Sequence, residues 1–221
     1  MRSSTVVSFA VSVCMLFTIS PFVSAQAREV PADASPSSFA RTGGAVKAPV
    51  GWTSFCAAQP EECRAGDGRA LQVRMDAAAW RQLRQVDRLA NHQIEGVADD
   101  EHYGIYKMGI INWWTYPDDG KGNCNDYVLL KRKLLVEAGW PKSALLLTVV
   151  LDHENKGHLV LTVRTDAGDL ILDNMVDDIL AWDETGYTFV KRQSAEDPNV
   201  WLEMEPGHAV AGVASLPASR D

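Results

Sequence analysis

The sequence predicts an α+β domain in which a helix that begins at a cysteine packs on an antiparallel sheet. Two stretches, residues 77–92 and 124–138, repeat apolar side chains at helical spacing. They are followed by three short β-prone runs, at residues 144–151, 158–165 and 169–172. The last two runs are separated only by Asp166-Ala167-Gly168. Because so short a turn can join only antiparallel strands, these two runs are predicted to form an antiparallel hairpin.

The N-terminal segment predicts an exported protein. An apolar run over residues 6–23 ends in Val23-Ser24-Ala25, which offers the small residues of a signal-peptide cleavage site. Serines, a threonine and Pro21 interrupt the run, so a permanent membrane anchor is the weaker alternative. We therefore predict a signal peptide over residues 1–25, a periplasmic or secreted location, and no stable membrane insertion after cleavage.

Composition predicts one folded domain between two loose ends. The chain is 46% hydrophobic and 23% charged, as in ordinary globular proteins. Residues 26–50 are rich in alanine, proline, serine and glycine, which predicts a flexible segment. Residues 51–205 are predicted to form the domain and residues 206–221 a flexible tail. The net charge of -8 argues against nucleic acid as a partner, because phosphate binding needs a basic face.

Within the domain, most predicted elements have a recognisable start or stop. Asp76 is a typical N-cap for the first helix, and Gly139 and Pro141 end the second. Between the helices lie an acidic turn at residues 99–101, the aromatic residues Trp113, Trp114 and Tyr116, and a tight loop at Gly120 and Gly122. After the three strands, the sequence predicts a helical turn at residues 176–180 and two further strands at residues 187–190 and 199–203.

Cysteine usage leaves one thiol without an obvious partner. Cys14 leaves with the predicted signal peptide, and Cys56 and Cys63 are close enough to form a disulfide in an oxidising compartment. Cys124 is then the odd cysteine. Such a residue bridges a dimer, packs as a small buried hydrophobe or reacts, and burial is the commonest of these outcomes.

The position of Cys124 favours the reactive alternative. A helix N-terminus presents free backbone N–H groups and a partial positive charge, both of which stabilise a thiolate. His158 begins an alternating strand and is the candidate base. Asp173 ends the strand that pairs with it through the tight turn, so it is placed to orient the imidazole. The sequence therefore predicts a catalytic triad of Cys124, His158 and Asp173.

Each member also has a simpler interpretation. Cys124 can be a buried hydrophobe, His158 a surface histidine and Asp173 the cap of the next turn. His153 is a rival base, although it lies within a polar turn. A metal site built from Asp152, His153, Glu154 and His158 lacks any recognised ligand spacing, so we predict no metal there.

Three blocks around these residues resemble a known family. Residues 111–131, which end in Gly-Asn-Cys-Asn-Asp-Tyr-Val-Leu-Leu-Lys, are followed by Gly-His-Leu-Val-Leu at 157–161 and Leu-Ile-Leu-Asp-Asn at 170–174. In this order they resemble the bacterial transglutaminase-like cysteine proteinases over about residues 80–175. The family includes periplasmic proteases that release large surface adhesins. The resemblance implies a papain/transglutaminase-like fold, the same triad and hydrolysis of peptide bonds.

One departure from the family pattern concerns calcium. Adhesin-releasing members resemble Asp-Cys-Glu-Asp around the nucleophile, and the acids beside the cysteine take part in calcium binding. Here the run is Asn123-Cys124-Asn125-Asp126, so two anionic ligands are replaced by neutral amides. Calcium prefers carboxylate oxygens. We therefore expect no cofactor, although the resemblance alone would imply calcium.

The sequence thus favours a cysteine endopeptidase or amidase acting on a protein or peptide of the cell envelope. Trp113, Trp114, Asn123 and Asn125 flank the cysteine and are candidates for the substrate cleft. Two alternatives stay open, an acyl transferase that crosslinks proteins and a catalytically silent module that binds peptides in the same cleft.

Overall fold

The computed structural model describes residues 39–104 and 112–205. The predicted signal peptide, the predicted tail at 206–221 and Ile111 of the family-like block lie outside these residues. The described strands are β1 Thr42–Val46, β2 Glu95–Gly96, β3 Lys121–Gly122, β4 Leu145–Leu151, β5 Gly157–Thr165, β6 Gly168–Leu172, β7 Leu180–Ala181, β8 Thr188–Gln193 and β9 Trp201–Met204. The described α-helices are α1 Val50–Ala58, α2 Ala77–Gln93, α3 Asp99–Tyr103 and α4 Cys124–Glu137.

Seven strands form one antiparallel sheet in the order β1-β9-β8-β4-β5-β6-β7. The short strands β2 and β3 pair separately and in parallel. Helix α4 packs against β5 and α2. The α+β class with a helix on an antiparallel sheet is therefore confirmed.

The core lies between α4 and the middle of the sheet. Leu129 and Leu135 of α4, Leu147 of β4 and Leu161 of β5 are all 2% exposed or less. Strand β5 is buried along nearly its whole length because it is a central strand with α4 on one face. This packing fixes the start of α4 relative to the open end of the β5-β6 hairpin.

Strand β1 shows that residues 42–46, within the segment predicted to be flexible, belong to the sheet. Its residues pair with β9 at the edge of the sheet, in a register that joins Thr42 to Met204 and Val46 to Trp201. Its side chains are small and mostly exposed. An edge strand of this kind adds backbone hydrogen bonds without burying large apolar side chains, so composition does not reveal it.

Two smaller predictions also differ from the structure. The acidic turn at residues 99–101 is the start of helix α3, which ends at Gly104 in the left-handed conformation. Residues 176–180 form no helical turn, and Leu180 instead begins strand β7, which pairs with β6. Sheet pairing outweighs local helical spacing in so short a segment. Among the described residues, no helix has the length and apolar character needed to cross a membrane.

Candidate active site

Helix α4 begins at Cys124, and its first turn is fixed by two reciprocal caps. The Asn123 side chain accepts a hydrogen bond from Asn125 N at 3.0 Å, and the Asp126 carboxylate accepts one from Asn123 N at 2.9 Å. This arrangement is a capping box. Cys124 is half-buried, and it is the free cysteine of the described residues. Its thiol therefore lies at a well-defined helix start, where the helix dipole is positive.

Asp126 also ties the preceding loop to the helix. Its carboxylate accepts a second backbone hydrogen bond, from Thr115 N at 3.0 Å, and the residue is fully buried. Burial raises its pKa to about 7, although the two backbone donors oppose that shift. A Cβ at Gly122 would lie 2.6 Å from Asp126 Oδ2, so the close approach requires glycine.

His158 and Asp173 meet at the open end of the β5-β6 hairpin. Leu161 pairs with Leu172, so His158 and Asp173 are diagonal neighbours across the two strands. His158 Nε2 lies 2.8 Å from Asp173 Oδ1, and the two residues are 7% and 4% exposed. The hairpin brings the two side chains together as the sequence order predicted.

The pKa of His158 reflects two opposing effects. Burial alone lowers it, but the hydrogen bond and charge of Asp173, together with a hydrogen bond to Cys124, outweigh burial and raise the pKa to about 9. The imidazole is then protonated at neutral pH. Because Nε2 is bonded to Asp173, Nδ1 is the ring nitrogen left for the thiol.

Asp173 has further donors that the sequence patterns did not indicate. Its Oδ1 accepts from Met175 N at 2.9 Å, and its Oδ2 accepts from Tyr187 Oη at 2.6 Å. Asn91 Nδ2 on α2 donates to the backbone oxygen of Asp173 at 2.9 Å. Burial alone would raise the pKa of Asp173, but the hydrogen bonds from His158, Met175 and Tyr187 lower it. The carboxylate is thus held ionised and in a fixed orientation.

A buried ion pair lies between the two long helices near this carboxylate. Lys131 Nζ of α4 is 2.6 Å from Asp87 Oδ1 of α2, and both side chains are 1% exposed or less. Burial raises the pKa of Asp87 to about 6 and lowers that of Lys131, while the charge of each attracts the other. Removing one partner would leave an unpaired buried charge, so the pair holds α2 and α4 together.

The candidate cleft residues have different environments. Trp114 is 5% exposed and packs edge-on against Trp52, with ring centroids 6.4 Å apart. The missing side chain of Gly51 lets the Trp114 indole pack into the core, so a cleft role for Trp114 stays a prediction that its burial disfavours. Trp113 is 37% exposed and stays a candidate. Asn125 is buried, and its amide donates to Asn123 Oδ1 at 2.8 Å and to Asn112.

The remaining sequence candidates lie outside this arrangement. Cys56 and Cys63 form a disulfide with an S–S distance of 1.96 Å. The rival base His153 is exposed, and its ring centroid lies 5.1 Å from that of Tyr187. No group of three histidine, cysteine, aspartate or glutamate side chains suited to a metal occurs in residues 39–104 or 112–205.

The polar groups around Cys124 are hydrogen-bonded within the protein, and the expected absence of calcium stays a prediction. Asp126 is the carboxylate of the first turn, and its oxygens already accept two backbone N–H groups. The Asn125 amide donates to two other asparagines, so its nitrogen is bound within the network. Nearby Asp119 accepts from Lys121 N at 3.1 Å and lies 2.7 Å from His102 Nε2. Not every oxygen near this segment has a partner, because Oδ1 of the buried Asp99 accepts no hydrogen bond, whereas its Oδ2 accepts one from Trp113 N at 2.6 Å.

The fold, in which a helix that begins at a cysteine packs on an antiparallel sheet, is that of the transglutaminase-like class of cysteine hydrolases. Residues 42–209 match the model of the bacterial transglutaminase-like cysteine proteinases, and the chain belongs to that family. It is accordingly a cysteine peptidase.

Solved structures similar to this chain include three of LapG from Legionella pneumophila. One is 28% identical, with a TM-score of 0.46, and the match covers 56% of this chain and 68% of that one. The calcium-bound form is 26% identical, with a TM-score of 0.47, over 60% and 75% of the two chains. The EGTA-treated form is 26% identical, with a TM-score of 0.46, over 60% and 74%. No curated protein matches the chain.

Proposed function

We propose that this peptidase acts in the periplasm as a cysteine endopeptidase or amidase and cleaves a protein of the cell envelope. In this proposal Cys124 is the nucleophile, His158 the base and Asp173 the residue that orients the base. The observation that carries the proposal is the buried hydrogen bond of 2.8 Å between His158 and Asp173 at the open end of the hairpin. The predicted signal peptide supports the periplasmic location.

The chemistry follows from these positions. The Cys124 thiolate attacks the scissile carbonyl carbon, and the Cys124 backbone N–H stabilises the developing oxyanion. The protonated His158 gives its proton to the leaving amine, which leaves a thioester on Cys124. His158 then takes a proton from water, and the hydroxide attacks the thioester and releases the acid. Asp173 holds the imidazole in position through both steps.

The test compares envelope proteins after incubation with wild-type protein and with Cys124→Ala. We expect new peptide termini with the wild type and none with Cys124→Ala or His158→Gln. Asp173→Asn should retain a small fraction of the activity, because the orienting residue acts through the base. His153→Gln is the matched control, since it removes the rival histidine from the exposed turn and should leave activity unchanged.

Two results would contradict the proposal. Full activity of Cys124→Ala on a confirmed substrate would show that Cys124 is not the nucleophile. Transfer of the acyl group to an added primary amine, with no hydrolysis in its absence, would instead identify a crosslinking acyl transferase.

A further inference from the structure

A cavity of about 260 Å³ lies at the end of the sheet away from the triad. Leu146 lines it near the start of β4, whereas His158 pairs with Val150 near the other end of that strand. Arg132 lines it on α4, about 12 Å along the helix axis from Cys124 at 1.5 Å per residue. The cavity is therefore separate from the candidate active site.

The wall of this cavity is basic in a chain of net charge -8. Four cationic side chains line it against two carboxylates, namely Arg64, Arg69, Arg132 and Lys142 against Asp67 and Glu196. Three of the four cations have a carboxylate oxygen within 4 Å. Arg64 pairs with Glu61 at 2.6 Å, Arg69 pairs with Asp67 at 2.8 Å, and Lys142 lies 3.7 Å from Glu62.

Arg132 differs from the other three cations. It is 4% exposed, its Nε has no hydrogen-bond partner, and it forms no ion pair within residues 39–104 and 112–205. Its guanidinium carbon lies 5.5 Å from the centroid of the Trp52 ring, which packs against it. Burial lowers its pKa to about 10, although the charge of Glu62 opposes this shift. A buried guanidinium without a hydrogen-bonded counter-ion is costly, and an anion in the cavity would remove that cost.

We propose that this cavity binds a small oxyanion, a carboxylate or a phosphate, with Arg132 as its principal ligand and Lys142 as a second cation. The planar guanidinium offers paired N–H donors that match both groups. Glu62 lies 3.7 Å from Lys142 and its charge attracts Arg132, so it competes with the ligand for both cations. The inference concerns a second site and does not depend on the catalytic proposal.

The experiment is calorimetric titration of the full chain with inorganic phosphate and, separately, with N-acetylglycine, against potassium chloride at equal ionic strength. We expect binding of at least one anion by the wild type, and a Kd at least about tenfold higher for Arg132→Met, because a charge-assisted hydrogen bond is lost. Arg88→Met is the matched control. It removes the same charge from an exposed position on α2 and should bind as the wild type does.

Two further variants keep the proposal testable if Arg132→Met does not fold. Glu62→Gln removes the competing carboxylate and should lower Kd, whereas Lys142→Met should raise it. Binding of phosphate alone identifies a phosphate ligand, and binding of N-acetylglycine alone identifies a carboxylate. The proposal is overturned if the wild type binds neither anion at millimolar concentration, or if Arg132→Met or Lys142→Met binds as tightly as the wild type.

Discussion

At the scale of single residues, Tyr187 is the least expected part of the candidate site. Its hydroxyl donates to Asp173 Oδ2 at 2.6 Å, and its ring centroid lies 5.9 Å from that of His158 in an edge-on arrangement. Burial and the adjoining carboxylate raise the pKa of the phenol, so it stays a donor at all physiological pH values. In the proposed triad, we therefore expect Tyr187 to be a positioning residue that acts through Asp173.

Tyr187→Phe removes this donor and keeps the ring. We expect kcat to fall about tenfold with little change in KM, since one hydrogen bond to a buried carboxylate is worth about 1.5 kcal/mol. Steady-state kinetics on a confirmed substrate measure the effect of the substitution on kcat and on KM separately. Tyr103→Phe is the control, because Tyr103 is exposed and stacks on His102 away from Asp173. An unchanged kcat for Tyr187→Phe would contradict the positioning role.

The raised pKa of His158 has a consequence for stability. The folded pKa of about 9 exceeds the ordinary value of 6.5, so this residue stabilises the fold fully below pH 6.5 and progressively less as pH rises through 9. We expect the free energy of unfolding of the wild type to decrease between pH 6.5 and pH 9. The decrease should exceed that of His158→Gln by on the order of 2 kcal/mol. Urea unfolding at several pH values measures it. Parallel pH profiles for the wild type and His158→Gln would contradict the raised pKa of His158. His153→Gln is the control and should follow the wild type.

Local sequence patterns predict some residues of the candidate site but not others, for a physical reason. Cys124, His158 and Asp173 each stand at a recognisable boundary, a helix start or a strand end. Tyr187 and Asn91 reach Asp173 from elements that are 14 and 82 residues away. No local pattern marks such residues, because their roles exist only once the chain has folded.

At the scale of elements, the start of α4 depends on Gly122. Gly122→Ala would place a methyl group 2.6 Å from Asp126 Oδ2 and displace the capping carboxylate. We expect the free energy of unfolding to fall by about 1–3 kcal/mol, as for other overpacked sites, and activity to fall because Cys124 moves with the cap. Gly66→Ala is the control, since nothing lies within 4 Å of a Cβ there. Equal stability of the two variants in urea would refute this account of the helix start.

The same segment carries a prediction about calcium. The wild type should show no change in activity or melting temperature with chelator, because Asn123 and Asn125 supply no charge for a divalent ion. The double variant Asn123→Asp/Asn125→Glu should gain a calcium response, and without calcium it should be less stable since Asn125 is buried. Differential scanning calorimetry with and without calcium tests both statements. Micromolar calcium binding by the wild type in a calorimetric titration would show that other carboxylates complete a site.

At the scale of the whole molecule, the disulfide restrains the start of the domain. Cys63 is buried, and its carbonyl accepts a hydrogen bond from Asn199 Nδ2 at 2.8 Å, which links this loop to the residues before β9. Cys56→Ser/Cys63→Ser should lower the free energy of unfolding by about 2.5 kcal/mol on the loop-entropy model and leave catalysis intact. Thermal unfolding and kinetics of the double variant test this. Loss of catalysis in a still folded variant would mean that the loop reaches the active site.

The sheet shows what the sequence predicts poorly at this scale. The pairing of β5 with β6 could be predicted in advance because a short turn joins them. The pairing of β1 with β9 joins residues at opposite ends of the domain, and β1 has few large side chains. Hydrophobic patterning predicts which side chains of neighbouring elements are buried. Long-range edge pairing instead depends on backbone hydrogen bonds, which every residue offers, so it leaves no pattern in the sequence.

The spacing of Cys56, Cys63 and Cys124, the cysteines of the predicted mature chain, affects which disulfide forms during oxidation. In an unfolded chain the probability that two thiols meet falls as roughly the 3/2 power of the intervening length. Cys56 meets Cys63 across a separation of seven, whereas Cys124 is more than sixty positions from either. The local pair therefore forms on the order of 20 times more often. Chain entropy thus favours the Cys56–Cys63 bond and leaves Cys124, the proposed nucleophile, free during oxidation.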